Sequence, residues 1–173
     1  MKIQRKVTFD EVIQNFLKEH PIDASYEVNT NPDAQKSLIM ANEIFEEWNY
    51  VLLERQDILK VILPWHLGCK GELTLVPKSG LTVEQTVKKL REIEDLYPQT
   101  NQVCWQKIVK MGNCGELTHL FLSTQAISHE DYAEINISGN LFHLDGLHRM
   151  VSWEFHGLLK DNRQIPAYVA RNL

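Results

Sequence analysis

Between residues 141 and 170 the chain changes its hydrophobic period twice. An apolar extended run at 141–144 meets Asp145-Gly146. Leu147, Met150, Val151, Phe155 and Leu158 then recur at helical spacing, and 165–170 reads as a strand again. A period near 2 lays apolar residues on a sheet face and one near 3.6 lays them on a helix stripe, and each surface must be buried against another element. The segment therefore predicts strand, tight turn, helix and strand packed in layers, the pattern of an α+β protein.

Helix punctuation organises the rest. Thr8 and Glu11 form a capping box ahead of Val12, Ile13, Phe16 and Leu17, which predicts a helix to about residue 19, stopped by His20-Pro21. Asn31-Pro32 opens a second helix through Leu38, Ala41, Phe45 and Trp48. Residues 50–53 read as a short strand, 57–63 as a short helix ended by Pro64, and 72–76 as another strand. A second capping box, Thr82 and Gln85, starts a helix carrying Val83, Val87, Leu90, Ile93 and Leu96, ended by Tyr97-Pro98. Beyond the polar stretch 99–102, residues 117–122 and 134–137 look extended, and Ser138-Gly139-Asn140 turns the latter into 141–144 as a β-hairpin. The expected fold is α+β: a helix-rich N-terminal part at 1–100 with short strands, and a C-terminal α+β unit at 101–173, either separate or merged in one compact domain.

A chain of 173 residues with 43% hydrophobic content buries a full core without staples. No apolar run approaches the roughly 20 residues of a membrane span, and Met1-Lys2-Ile3-Gln4-Arg5 does not read as a signal peptide. The expectation is a cytoplasmic protein without a membrane partner. Cys69, Cys104 and Cys114 lack CxxC spacing and fit reduced thiols. With 18 Lys and Arg against 23 Asp and Glu, the net charge of −5 argues against DNA as a partner, because its phosphates are met by clustered cations.

The join His143-Leu144-Asp145-Gly146-Leu147-His148-Arg149 gathers ionisable groups and a glycine at a helix start. The first N–H groups of a helix lack backbone partners and carry a partial positive charge, so a phosphate is stabilised there, and His148 and Arg149 add donors. Gly146 permits a tight turn and close approach of a ligand, while Asp145 can hold a divalent cation or accept a proton.

Leu144-Asp145-Gly146-Leu147-His148-Arg149, followed by Trp153, Gly157 and Ile165-Pro166-Ala167-Tyr168-Val169, resembles the Asp-Gly-His-His-Arg signature of the ParB/sulfiredoxin-like superfamily over about residues 134–170. The resemblance implies a mixed sheet with helices and a corner that binds nucleotide phosphates. Sulfiredoxin places its reactive Cys where this chain has Leu147, so reductase chemistry lacks its nucleophile. Partition proteins carry a Glu-Arg-Arg type corner and a following helix-turn-helix, but here the chain ends at Leu173. Free-serine kinases match best, with Leu147 replacing their first His. The resemblance thus implies a phosphotransferase that uses ATP or another nucleotide with Mg2+ on a small hydroxylated metabolite such as an amino acid. Asp145 and His148 would be catalytic, Asp145 would hold the metal, and Gly146, His148 and Arg149 would hold phosphate. The upstream glutamate such kinases need has three candidates, Glu116, Glu130 and Glu134. The alternative is a non-catalytic nucleotide-binding regulator or scaffold.

Two metal readings also follow from the residues. His143 and Asp145 alternate on a strand with His148 just past the turn, a set suited to Fe, Mn or Zn. In the loop Pro64-Trp65-His66-Leu67-Gly68-Cys69, His66 and Cys69 form half a zinc site, with no matching second pair among Cys104, Cys114 and His119.

Overall fold

The computed structural model describes residues 1–20, 31–68, 71–135, 137 and 141–172. Its centre is β7 (Ile165–Arg171), whose Ile165, Ala167 and Val169 pack into one apolar cluster while Tyr168 and Ala170 pack into another. Both faces of this strand are buried, which is why it reads as an almost unbroken apolar run. It pairs in parallel with β5 (Leu120–Ser123) and antiparallel with β2 (Glu47–Leu53). Outside β2 lies β1 (Lys2–Val7), and beyond β5 come β6 (Phe142–Asp145), β3 (Ile62–Leu63) and β4 (Leu81–Thr82). The described residues thus form one seven-stranded mixed sheet in the order β1-β2-β7-β5-β6-β3-β4.

Helices cover both faces, and the fold is α+β. On one side, α1 (Phe9–Glu19) and α2 (Asn31–Ile44) bury Val12, Phe16, Leu38 and Ala41 against Trp48, Phe121, Leu144 and Tyr168. On the other, α3 (Arg55–Leu59), α4 (Val83–Glu92), α5 (Tyr97–Thr100), α6 (Gln102–Cys114) and α7 (Leu147–Phe155) close over Val51, Leu53, Leu63, Leu122 and Val169. The Thr82 and Gln85 capping box forms as the sequence puts it, whereas only half of the first one does: Thr8 accepts from the Glu11 amide, but the Glu11 carboxylate pairs with Arg5 and not with the Thr8 backbone. Residue 100 ends α5, and strands from either side of it are neighbours in the sheet, β2 with β7 and β3 with β6. No helix among the described residues is long and apolar enough to cross a membrane.

Several local expectations change. The second helix stops at Ile44, and Trp48 belongs to β2, where its ring is buried and its Nε1 donates to Asn42 at 3.2 Å. Residues 57–63 divide into the end of α3 and the strand β3, because the wholly buried Val61, Ile62 and Leu63 need apolar surroundings on both sides. At 72–76 a single bridge, His66 to Val76, replaces the strand. The partners of β6 are β5, antiparallel, and β3, parallel, while Glu134 and Ile135 follow a 3-10 turn at Glu130–Tyr132. Residue 136 and the turn at 138–140 lie outside the described residues. Neither β1 nor α6 was anticipated: the first is an exposed, charged edge strand, and the second has no side-chain hydrogen bond at its cap.

Asn101 caps α6 only through its backbone because its side chain is engaged elsewhere. Nδ2 donates to Leu67 O at 2.9 Å and Leu73 O at 2.8 Å, and Oδ1 accepts from Leu73 N at 3.0 Å. Through this clamp the buried Asn101 fixes the loop after β3, with its half-buried Leu67 and Leu73, against the start of α6. Replacing Asn101 with Ala strands three partly buried backbone groups, and the expected loss is about 1–3 kcal/mol in urea unfolding. Asn101→Asp should fare no better, since a carboxylate cannot donate to the two carbonyls. A change within about 0.5 kcal/mol, the level of an ordinary surface substitution, would contradict the clamp.

Candidate metal centre

Helices α6 and α7 pack closely, turn by turn. Ser152 Oγ donates to Ile108 O at 2.5 Å, and one turn further along both helices Gly112 leaves room for the His156 ring. A Cβ on Gly112 would lie 2.3 Å from His156 Nδ1. One turn earlier, the same register sets Cys104 beside His148, with Sγ and Nε2 3.1 Å apart. The third member is His66 from the clamped loop, whose Nε2 stands 3.6 Å from Cys104 Sγ. Its ring lies edge-on to His148 with centroids 4.9 Å apart. One donor atom from each of the three falls within 4.8 Å of the others, and among the described residues this is the one group of three or more His, Cys, Asp or Glu so gathered. Gly68, at φ +84°, keeps the loop close: a Cβ there would meet Cys104 Cβ at 3.3 Å.

The surroundings set the state of each donor. Burial, reinforced by the charge of Lys107, pushes His66 down to about 4, and burial holds His148 well below its ordinary value, so both imidazoles are neutral at pH 7 with a lone pair to offer. Burial raises the Cys104 thiol, opposed by Tyr97, whose hydroxyl donates to Sγ at 3.1 Å.

The strand-to-helix turn is divided between two environments. His148 faces Cys104 and His66, whereas Asp145 and Arg149 turn into a buried ion cluster. Arg149 pairs with Asp145 and donates at 2.7 Å to both Thr118 Oγ1 and His119 O. His20 Nε2 lies 3.2 Å from Asp145, and Glu19 pairs with His119 while its other oxygen sits 3.6 Å from Arg149. Burial opposes charge on Asp145, yet Arg149 and His20 hold its carboxyl well below the ordinary carboxylate range. Burial likewise works against charge on His20, but Asp145 holds that imidazole above its ordinary value. Gly146 starts α7 at φ +108°, and a Cβ there would come within 2.7 Å of buried Leu120. His143 joins neither group: its Nδ1 is 3.5 Å from the Tyr132 hydroxyl, and burial pushes it down to about 4. The register of β6 on β5 shifts between Asp145, opposite Phe121, and His143, opposite Leu122. That shift breaks the alternation by which the two would share a side.

Of the glutamate candidates, Glu134 pairs with Lys78 at the surface, and Glu130 lies in the 3-10 turn. Cys114 is exposed and Cys69 lies outside the described residues. What sequence reasoning missed is Cys104. Its signal was the apolar spacing of Cys104, Ile108 and Met111, ended by Gly115 in the left-handed region at φ +65°, which marks a helix after the polar stretch.

The chain belongs to a family of unknown function, DUF6309, whose model matches residues 1–173. No curated protein and no solved structure matches it.

The ion cluster makes its own prediction. Asp145→Asn leaves the buried Arg149 charge without its carboxylate, and the expected cost is about 3–5 kcal/mol. Because folding lowers the Asp145 pKa, its contribution is present above the unfolded value of about 3.9 and is lost as pH falls through the folded one. Urea unfolding from pH 7 to pH 3 should therefore show a flatter acid limb in the variant. A loss under about 1 kcal/mol at pH 7 would show that the pair is dispensable to the fold.

Proposed function

We propose that the protein is a zinc protein in which His66, Cys104 and His148 hold the metal and a water occupies the fourth position. The convergence of three N and S donors from a loop and two helices carries this reading. With Zn–S near 2.3 Å and Zn–N near 2.0–2.1 Å, a tetrahedral site requires S···N separations of about 3.6 Å. The Cys104 spacings of 3.6 and 3.1 Å need one to open by a few tenths of an ångström, and the two imidazole nitrogens, within 4.8 Å of each other, must come to about 3.3 Å. Two imidazoles and a thiolate favour zinc over the hard cations Mg2+ and Ca2+. Three protein ligands with an open position are the arrangement of catalytic zinc, in which the metal lowers the pKa of its water to about 7 and supplies a nucleophile. Tyr97 supports the thiolate by donating to it, as outer-shell partners of metal ligands do.

One observation favours nucleotide-dependent phosphotransfer as a second reading: Gly146 in the left-handed region opens α7 beside an ionised Asp145. Against it, the Arg149 guanidinium is already committed to Asp145, Thr118 and His119.

Equilibrium dialysis should find about one zinc per chain, and zinc at 100 times its Kd should stabilise the protein by about 2.7 kcal/mol. His66→Ala, a change in a half-buried loop residue, and Cys104→Ala should each abolish that gain. No zinc-dependent stabilisation of the unaltered chain would overturn the zinc reading. A shift produced instead by ATP with Mg2+, lost in Arg149→Met and kept in Cys104→Ala, would establish the second.

A further inference from the structure

Beside His66, Cys104 and His148 stands a cation that pairs with no carboxylate among the described residues. Lys107 follows Cys104 by three residues on α6, so its side chain rises on the flank of the helix that carries the thiol. It is half-buried, and among the described residues no carboxylate pairs with it. Of the other buried or half-buried cations, Arg55 meets Glu154, Arg149 meets Asp145 and Arg171 meets Glu47, while Lys89 donates to the Thr74 carbonyl. The surface cavity of about 510 Å³ on the α4 side shows the same balance, with Arg55, Lys88 and Arg91 facing Glu84, Glu92 and Glu154. At Lys107 the charge is instead felt by the ligands, where it opposes protonation of His66, Cys104 and His148 alike.

The charge count completes the argument. Zn2+ with a single thiolate keeps one uncompensated positive charge, and Lys107 adds a second, in a partly desolvated place where like charges are costly and an anion is attracted strongly. We infer that the fourth position of the His66, Cys104 and His148 centre takes an oxyanion, a carboxylate or phosphoryl group, with one oxygen on the metal and another on the Lys107 ammonium. The substrate class is then a small anionic molecule that displaces the metal-bound water. This rests on the zinc reading above, and Lys107 acts as a positioning and specificity residue rather than a ligand.

Cobalt(II) in place of zinc makes the site visible through its absorption bands. The cobalt-loaded protein is titrated separately with acetate and with inorganic phosphate, and the change in those bands gives an affinity for each. A saturable change is expected with at least one anion. Lys107→Met should weaken it by at least about tenfold, the loss of one charge-assisted hydrogen bond, without altering cobalt content, and Lys107→Arg should restore most of it. The tighter anion then identifies the group, carboxylate or phosphoryl. Cobalt that loads normally but responds to neither anion, or responds equally in Lys107→Met, overturns the inference and leaves the zinc reading standing. Cobalt that does not load at all overturns both.

Discussion

The close, in-register packing of α6 on α7 is the constraint on which the rest depends. Cys104 and His148, Ile108 and Ser152, and Gly112 and His156 meet one turn after another. Any other register would part the thiol from the imidazole. Gly112 permits the approach because a side chain there would occupy the place of the His156 ring. Ser152, buried on this face, satisfies its hydroxyl on the Ile108 carbonyl instead of leaving a polar group unpaired. The same helices present Met150, Val151 and Ile108 to the core, so the register that makes the site is also the one that buries apolar surface.

From this packing follows a division of roles at the start of α7. His148 and Arg149 are adjacent in sequence but belong to different environments, one neutral and nitrogen-sulfur in character, the other ionic. The neutral set arises because burial favours the uncharged form of each member. The ionic set persists despite burial because Asp145, Arg149, His20, Glu19 and His119 compensate one another and tie the end of α1 to the sheet and to α7. The residues of one sequence motif thus divide, in three dimensions, between an ion cluster and the separate group of His66, Cys104 and His148.

What was legible in the sequence was local. The Thr8 and Thr82 caps, the glycine start of α7 and the apolar run of β7 follow from hydrogen bonding and periodicity within a few residues. Trp48 misled because a residue at helical spacing from Phe45 and Ala41 was claimed by strand pairing with β7. The helix α6 was hidden because Asn101, the natural cap, uses its side chain on the loop at Leu67 and Leu73. His148 and the loop of His66 were singled out from sequence, but their meeting with Cys104 was not legible. Separations of 38 and 44 residues carry no periodic signal, and only tertiary packing brings these three together.

The central claim is that one sulfur and two imidazole nitrogens share a single metal. X-ray absorption at the zinc edge of the zinc-loaded protein tests it most directly, because it reads ligand type and distance at the metal itself. The account predicts one sulfur near 2.3 Å, two nitrogens near 2.0–2.1 Å with the outer-shell scattering of imidazole, and one further light atom. A first shell of nitrogen and oxygen alone, or one with two or more sulfurs, would contradict it.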